Sequence, residues 1–239
     1  MIYQVDRIVR DVRVALDQDR TSEALFSDGD IDSLKLDELI ASKILEGVER
    51  VHMTAPYPLL EQGHNFEYDN NGLDDNNDEV IDNEEIGIYW EGTDDTCGWL
   101  PLPEDFMRLV VFEMTDWERP VYTPITTSDP RYARQRGRVK GLRGTAQRPV
   151  CVIAVRPEGK VLEFYSCKSR NALVKKAVYM PYPKIVSVGE PGSEVDSVDV
   201  SVRCYTAVVY MIAGLATAAC NEPERAKTYF ELANTYLNK

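Results

Sequence analysis

Hydrophobic positions near the N-terminus predict two helices. Apolar residues recur at three- and four-residue spacing at Val5, Ile8, Val9, Val12 and Leu16. This spacing places them on one face of a helix. A second apolar stripe runs from Leu36 to Val51, and Pro56 and Pro58 should end that helix, because proline cannot continue the backbone hydrogen-bond ladder. Each helix is therefore expected to pack through one face.

The middle of the chain has the pattern of β-strands. Two runs rich in apolar, β-branched and aromatic residues, 150–155 and 161–166, flank the turn sequence Pro157-Glu158-Gly159. This arrangement predicts a hairpin. A further strand is predicted at 176–182, where Pro181 and Pro183 close the run.

Two more helices are predicted near the C-terminus. The apolar positions of the first are Tyr205, Val208, Val209, Ile212, Leu215 and Ala219. Its many small residues would let neighbouring helices approach closely. Pro223 lies in the first turn of the second helix, whose inward-facing positions are Ala226, Phe230, Ala233 and Leu237.

The order of these elements predicts an α+β fold. The N- and C-terminal helices are expected to pack as a small bundle, with a β-rich middle and an acidic inserted loop. The predicted segments are 1–60 (N-terminal helices), 61–98 (acidic insertion), 99–190 (β-rich middle) and 191–239 (C-terminal helices). The two helical segments should form one discontinuous domain.

The charge of the chain is unevenly distributed. The protein has 27 Lys or Arg and 40 Asp or Glu, which gives a formal net charge of −13. Residues 51–107 contain 15 of the acidic residues and no Lys or Arg, so the remainder is nearly neutral, with 25 acids and 27 bases. An acidic protein has no general attraction to nucleic-acid phosphates, although a local basic patch could still bind them.

Several classes of protein are excluded by other features of the sequence. The first residues lack a basic region followed by an apolar one, so no secretory signal is predicted. The uncharged stretch 204–221 is bounded by Arg203 and Glu222 and diluted by polar residues, which indicates a buried helix rather than a membrane span. The five cysteines are widely spaced without a Cys-x-x-Cys pair, which argues against a disulfide framework and a zinc cluster.

The sequence contains no recognisable catalytic motif. It has no G-x-S-x-G, no glycine-rich phosphate loop and no H-E-x-x-H, and its two histidines are His52 and His64. Carboxylates that could serve acid–base chemistry are spaced closely at Glu104, Asp105, Glu113, Asp116 and Glu118. Surface acids are common, so we expect no enzyme activity. A hydrolase using Glu104 or Asp105 is the alternative.

Residues 74–85 have the ligand spacing of a calcium loop. Side-chain oxygens stand at Asp74, Asn76, Asp78, Asp82 and Glu85, and Val80 offers its backbone carbonyl. The departure is Glu79, because the sharp turn at that position normally requires glycine. The segment is therefore a candidate Ca²⁺ site with a structural role, and a hydrated acidic loop is the alternative.

A basic segment follows the acidic one. Residues 131–148 contain no acid and seven cations: Arg131, Arg134, Arg136, Arg138, Lys140, Arg143 and Arg148. Gly137, Gly141 and Gly144 predict a flexible arm. Its single aromatic residue, Tyr132, does not provide the stacking platform of a single-strand binder.

This basic arm is interpreted first as a protein interface. Contact between the arm and a nucleic-acid backbone is the alternative interpretation. Docking on an acidic neighbour is favoured, and the acidic segment of an adjacent copy of the chain would be such a neighbour. A head-to-tail contact of this kind between identical subunits produces a ring when it closes.

One stretch of the sequence resembles a known family. Residues 98–110 read GWLPLPEDFMRLV and are followed by WERPV at 117–121. Together they resemble the middle of head-to-tail connector proteins of tailed bacteriophages, in which a Pro-x-Pro-x-Asp-Phe-x-Arg-Leu step leads from the helical part into the β part. The resemblance extends to the paired N-terminal helices, the β-rich centre and the late small-residue helix, and is strongest for neck ring proteins of crAss-like phages. The acidic insertion departs from this pattern.

The resemblance implies a structural virion protein made in the host cytoplasm. It would form a homo-oligomeric ring of about twelve copies in the neck, between portal and tail. Its partners would be its own copies, the portal and other neck or tail ring proteins, and packaged DNA would pass without sequence-specific binding. No membrane contact is implied, and before assembly the basic arm and the termini should be mobile.

Overall fold

The computed structural model describes residues 1–16, 36–60, 63–66, 88–91, 96–137, 139–189 and 194–238. Short 3₁₀ turns lie at Tyr57–Leu59, Lys140–Leu142 and Val202–Cys204. In chain order the helices and strands are β1 (Ile2–Gln4), α1 (Val5–Ala15), α2 (Leu36–Thr54), β2 (His64–Asn65), β3 (Tyr89–Trp90), β4 (Cys97–Pro101), β5 (Phe106–Met114), β6 (Ile125–Thr126), α3 (Pro130–Arg136), β7 (Val150–Arg156), β8 (Gly159–Tyr165), β9 (Val174–Pro181), β10 (Ile185–Val188), β11 (Val195–Asp199), α4 (Tyr205–Ala219) and α5 (Pro223–Leu237). The predicted α+β class is confirmed.

The chain divides into two compact units. One combines Met1–Gln62 with Tyr182–Lys239, and the other is Gly63–Pro181. We call the first the helical unit, because it contains α1, α2, α4 and α5, and the second the β unit.

Helix α4 is the centre of the helical unit. It contacts α1, α2 and α5, so the predicted packing of the terminal helices is confirmed. Its small residues allow the close approach that the sequence predicts, since a Cβ on Gly214 would lie 2.6 Å from a ring carbon of Phe230 on α5. Fully buried residues of this unit include Ile8 and Val12 on α1, Ile40, Ile44, Val48 and Val51 on α2, and Val208 and Ile212 on α4 itself.

The hydropathy of α4 follows from this central position. Within the described chain, the segment Val202–Ala219 is long and apolar enough to cross a membrane, with a mean hydropathy of 1.4. Inside the unit, however, 61% of that segment is buried. A helix surrounded by other helices is apolar on most of its circumference, and the predicted buried helix is therefore confirmed.

A small antiparallel sheet completes the helical unit. Its strand order is β1-β11-β10, with Tyr3 opposite Val198 and Ile185 opposite the same Val198. The ring of Tyr3 stacks on that of Tyr205 at a centroid distance of 4.2 Å, and this contact joins β1 to the start of α4.

The β unit is built from two sheets. One has the order β2-β9-β5, and the other has the order β3-β4-β8-β7-β6, in which β6 and β7 are parallel and the other pairs are antiparallel. The predicted hairpin is β7–β8, with Arg156 opposite Gly159 at its turn. Alternate residues of the strands supply one apolar core, which includes Leu100, Leu109, Phe112, Leu162, Phe164 and Tyr179.

The proline-rich step joins two strands of the β unit. It links β4 to β5, and β2 and β3 already precede it. The step therefore does not lead from a helical part into a β part, and the chain differs here from the connector pattern. The short strands β2 and β3 also show that both ends of the acidic insertion belong to sheets.

His52 is buried on α2 in the helical unit. Its side chain is 2% exposed, and Nε2 accepts a hydrogen bond from the backbone N–H of Ser201 at 3.3 Å. Burial lowers the pKa of His52 to about 4, although the negative charge of Asp199 raises it in part. The imidazole is therefore neutral in the folded state at neutral pH.

Acidification should weaken the helical unit through His52. The unfolded chain binds this proton below its ordinary pKa of 6.5, whereas the folded chain binds it only near 4. The contribution of neutral His52 to the free energy of unfolding is therefore complete above pH 6.5. It is lost as the pH falls to about 4, and this loss amounts to roughly 3 kcal/mol. Urea unfolding followed by far-ultraviolet circular dichroism measures it, because most of the described helix lies in this unit.

A matched variant isolates the histidine in this titration. His52→Gln keeps an acceptor for the Ser201 N–H and does not titrate. The free energy of unfolding of His52→Gln should therefore fall less steeply between about pH 7 and pH 4 than that of the wild type. Equal slopes in the two proteins would contradict the assignment.

Candidate functional site

A buried carboxylate lies on the outer face of the hairpin. Leu162 and Phe164 of β8 face the apolar core, so the alternation of the strand directs Glu163 and Tyr165 to the opposite face. Helix α3 covers this face through Tyr132, which packs on a small cluster that contains Tyr165. Glu163 is consequently 1% exposed.

Glu163 is the centre of an ion cluster. Its Oε1 accepts hydrogen bonds from Nε of Arg156 at 2.9 Å, from a terminal nitrogen of Arg156 at 2.7 Å and from Arg136 at 3.1 Å. The Tyr165 hydroxyl donates to Oε2 at 2.7 Å. Arg156 also pairs with Glu91 at 2.5 Å and lies over the Trp99 ring at 5.1 Å. The cluster thus connects β3, β4, α3 and the hairpin.

The pKa values of the cluster follow from its contacts. Burial alone would raise the pKa of Glu163, but the hydrogen bonds from Tyr165 and Arg156 and the two arginine charges outweigh it and lower that pKa. Burial and the carboxylate raise the pKa of Tyr165. Glu163 is therefore an ionised acceptor and Tyr165 a neutral donor, which makes the cluster a fixed set of charges rather than an acid–base pair.

The basic segment folds as helix α3 and a series of turns. Asp129 caps the helix by accepting from the backbone N–H of Arg131 at 2.8 Å, and Pro130 occupies its first turn. The Arg131 side chain also donates to this carboxylate, and these bonds lower the pKa of Asp129 to about 2. The prediction of a flexible arm is therefore wrong for the described residues.

Two further contacts hold the segment beyond α3. The buried Gln135 side chain donates to the Arg131 carbonyl at 3.1 Å and accepts from the Gly144 N–H at 2.7 Å. The Arg143 guanidinium donates twice to the Gly137 carbonyl, at 3.0 and 2.9 Å. Side-chain hydrogen bonds to Gly137 and Gly144 therefore hold the turns of this segment.

The predicted interface cations have different environments. Arg131 pairs with Asp129, Arg136 with Glu163, and Arg143 with a backbone carbonyl. Arg134 and Arg148 are exposed. Arg138 and the Lys140 side chain lie outside the described residues. We call the five described members, Arg131, Arg134, Arg136, Arg143 and Arg148, the cationic surface.

Three of the carboxylates considered for catalysis have separate partners. Asp105 accepts from the Tyr179 hydroxyl at 2.9 Å, Glu113 pairs with Lys175 at 2.7 Å, and Asp116 accepts the backbone N–H of Lys168. Within the described ranges, no group of three or more His, Cys, Asp or Glu side chains could hold a metal ion. The candidate calcium ligands, Asp74, Asn76, Asp78, Val80, Asp82 and Glu85, lie outside those ranges.

Comparison with known proteins assigns no family. No family model matches the chain, and no curated protein matches its sequence.

Glu163 and Arg156 were not predicted from the sequence. Glu163 stands in an apolar strand, in the sequence Val161-Leu162-Glu163-Phe164-Tyr165. A charged residue at an alternate position of such a run usually marks a solvent-facing side. The only available signal was that the flanking positions 161 and 165, on the same face, are apolar and aromatic.

Loss of the Glu163 charge should destabilise the β unit. In Glu163→Gln, Arg156 and Arg136 lose their shared anion. Because Arg136 is about half exposed, we expect a loss of roughly 2–3 kcal/mol, below the 3–5 kcal/mol of a fully buried pair. Tryptophan fluorescence during urea unfolding reports on this unit, since Trp90, Trp99 and Trp117 all lie in it.

Glu113→Gln is the matched control. Glu113 also belongs to the β unit, but its partner Lys175 is 61% exposed on its side chain. Loss of the Glu113 charge should therefore lower the free energy of unfolding by less than about 1 kcal/mol. Equal midpoints for Glu163→Gln and Glu113→Gln would show that the ion cluster is not a major source of stability.

Proposed function

We propose that this chain is a structural subunit of the head-to-tail connector of a tailed bacteriophage and is not an enzyme. About twelve copies would form a ring in the neck between portal and tail, around the DNA channel. The subunit binds its own copies, the portal and other neck or tail ring proteins. The resemblance of residues 98–110 and 117–121 to connector proteins supports this assignment.

The observation that carries the proposal is a rigid cationic surface on a chain whose acidic residues are concentrated elsewhere. Glu163 and Gln135 hold α3 and the following turns on the β unit, so the backbone that carries the cations is fixed there. Residues 51–107 supply 15 acids without a base. Complementary surfaces on one chain favour head-to-tail contact between copies, which closes into a ring.

The net charge agrees with a passive DNA channel. A ring of subunits that each carry −13 has a large net negative charge, which repels DNA phosphates. DNA then passes through the channel without adhering to it.

The assignment is tested by the virion neck and by the mass of the isolated assembly. Cryo-electron microscopy of the neck should show a ring whose subunits fit the helical unit and the β unit. Native mass measurement of the purified assembly should give the mass of about twelve chains of 27.1 kDa. A neck without density for this chain would rule out the connector assignment.

A calcium-dependent binding or surface module is the second candidate function. It is favoured by the ligand spacing of residues 74–85, with Asp74, Asn76, Asp78, Asp82 and Glu85 supplying side-chain oxygens. For this function, chelation should lower the unfolding temperature in calorimetry, and added Ca²⁺ should restore it. An unfolding temperature that does not respond to chelator or Ca²⁺ would exclude it.

A further inference from the structure

A cleft opens in the β unit beside the turns that follow α3. Its volume is about 330 Å³. Its walls are formed by residues 143–147, by Tyr165 at the end of β8 and the three residues that follow it, and by Thr96 and Glu118. The cleft therefore borders the cationic surface at Arg143.

Ser166 lines this cleft in a strained conformation. Its φ of 103° lies in the left-handed region, which residues other than glycine seldom adopt. The backbone N–H groups of Ser166 and Cys167 both donate to the Thr96 carbonyl, at 2.9 and 3.0 Å, and this double contact fixes the bend. The strain is thus maintained by the surrounding chain.

The Ser166 hydroxyl lacks a hydrogen-bond partner in the described structure. Ser166 is 7% exposed, and its Oγ is buried and unsatisfied. It lies so close to Gly144 that a side chain at residue 144 would overlap it. A buried hydroxyl without a partner is unfavourable, so an acceptor that enters the cleft would gain from this donor.

The charges at the cleft favour an anion. Arg143 and Lys168 lie in its walls. Arg148 adjoins the cleft, because its backbone is hydrogen-bonded to that of Thr145 in the wall. The acids nearby are Glu118 and Asp116, and the latter accepts the Lys168 N–H. Three cations and two acids leave a positive balance of one.

We infer that this cleft receives carboxylates from residues 67–87 of a second copy of the chain. That segment holds nine acidic residues and no Lys or Arg, which matches the positive cleft and the free hydroxyl donor. A segment of this length, held at its ends by β2 and β3, can extend at most about 35 Å from them. The inference rests on the proposed ring and names the contact that closes it.

A charge-swap experiment tests the contact in the full-length chain. The cleft variant carries Arg148→Glu and Lys168→Glu, and the segment variant carries Asp74→Lys, Asp78→Lys, Asp82→Lys and Glu85→Lys. Each variant alone should self-associate at least about tenfold more weakly than the wild type in analytical ultracentrifugation. An equimolar mixture should recover most of the wild-type affinity, because each copy then meets its complement.

The control reverses two exposed charges that do not line the cleft. Lys160 lies at the hairpin turn and Lys184 precedes β10, and both are exposed. The variant Lys160→Glu with Lys184→Glu should associate as the wild type does. Unchanged circular dichroism and tryptophan fluorescence establish that each variant is folded.

Three results would overturn the inference. The first is that the cleft variant associates as strongly as the wild type. The second is that the mixture associates no more strongly than either variant alone. The third is that the wild-type chain does not self-associate. If the cleft variant still builds a ring in the neck, the connector function stands and this contact is wrong. If the neck lacks the ring, the connector function itself fails.

Discussion

The β unit depends on the neutralisation of one buried carboxylate. Strand alternation directs Glu163 to the outer face of the hairpin, where burial of an unmatched charge would be costly. Arg156 from the hairpin, Arg136 from α3 and the Tyr165 hydroxyl supply the matching contacts. Because the contact with Arg136 crosses from strand to helix, it also determines where α3 lies and where the cationic surface is displayed.

The two units carry different parts of the proposed role. In the helical unit, α4 is buried by helices from both ends of the chain, and this packing gives a stable body for a ring subunit. In the β unit, a rigid frame displays cations, and both ends of the acidic segment 67–87 are anchored by short strands. The contrast of charge within one unit is the physical basis of the proposed contact between copies.

Local patterns predicted the four long helices and the strands β7, β8 and β9, but none of the other described strands. The four long helices and the β7–β8 hairpin follow from apolar spacing and turn residues, and the terminal helices pack as expected. Helix α3 was missed because it is seven residues long and its arginines hide any apolar stripe. Part of its stability comes from Glu163, 27 residues away from Arg136, and no local pattern contains that contact. For the same reason, the cations of the site could be identified from the sequence, whereas Glu163, the anion that pairs with Arg136, could not.

The central claim is that Glu163 holds α3 and the cationic surface in place. Hydrogen–deuterium exchange of Glu163→Gln, compared with the wild type under native conditions, tests it most directly. The amides of α3 and of residues 139–148 should lose protection in the variant, while those of β5 and β9 should keep theirs. Equal protection of α3 in both proteins would contradict the account.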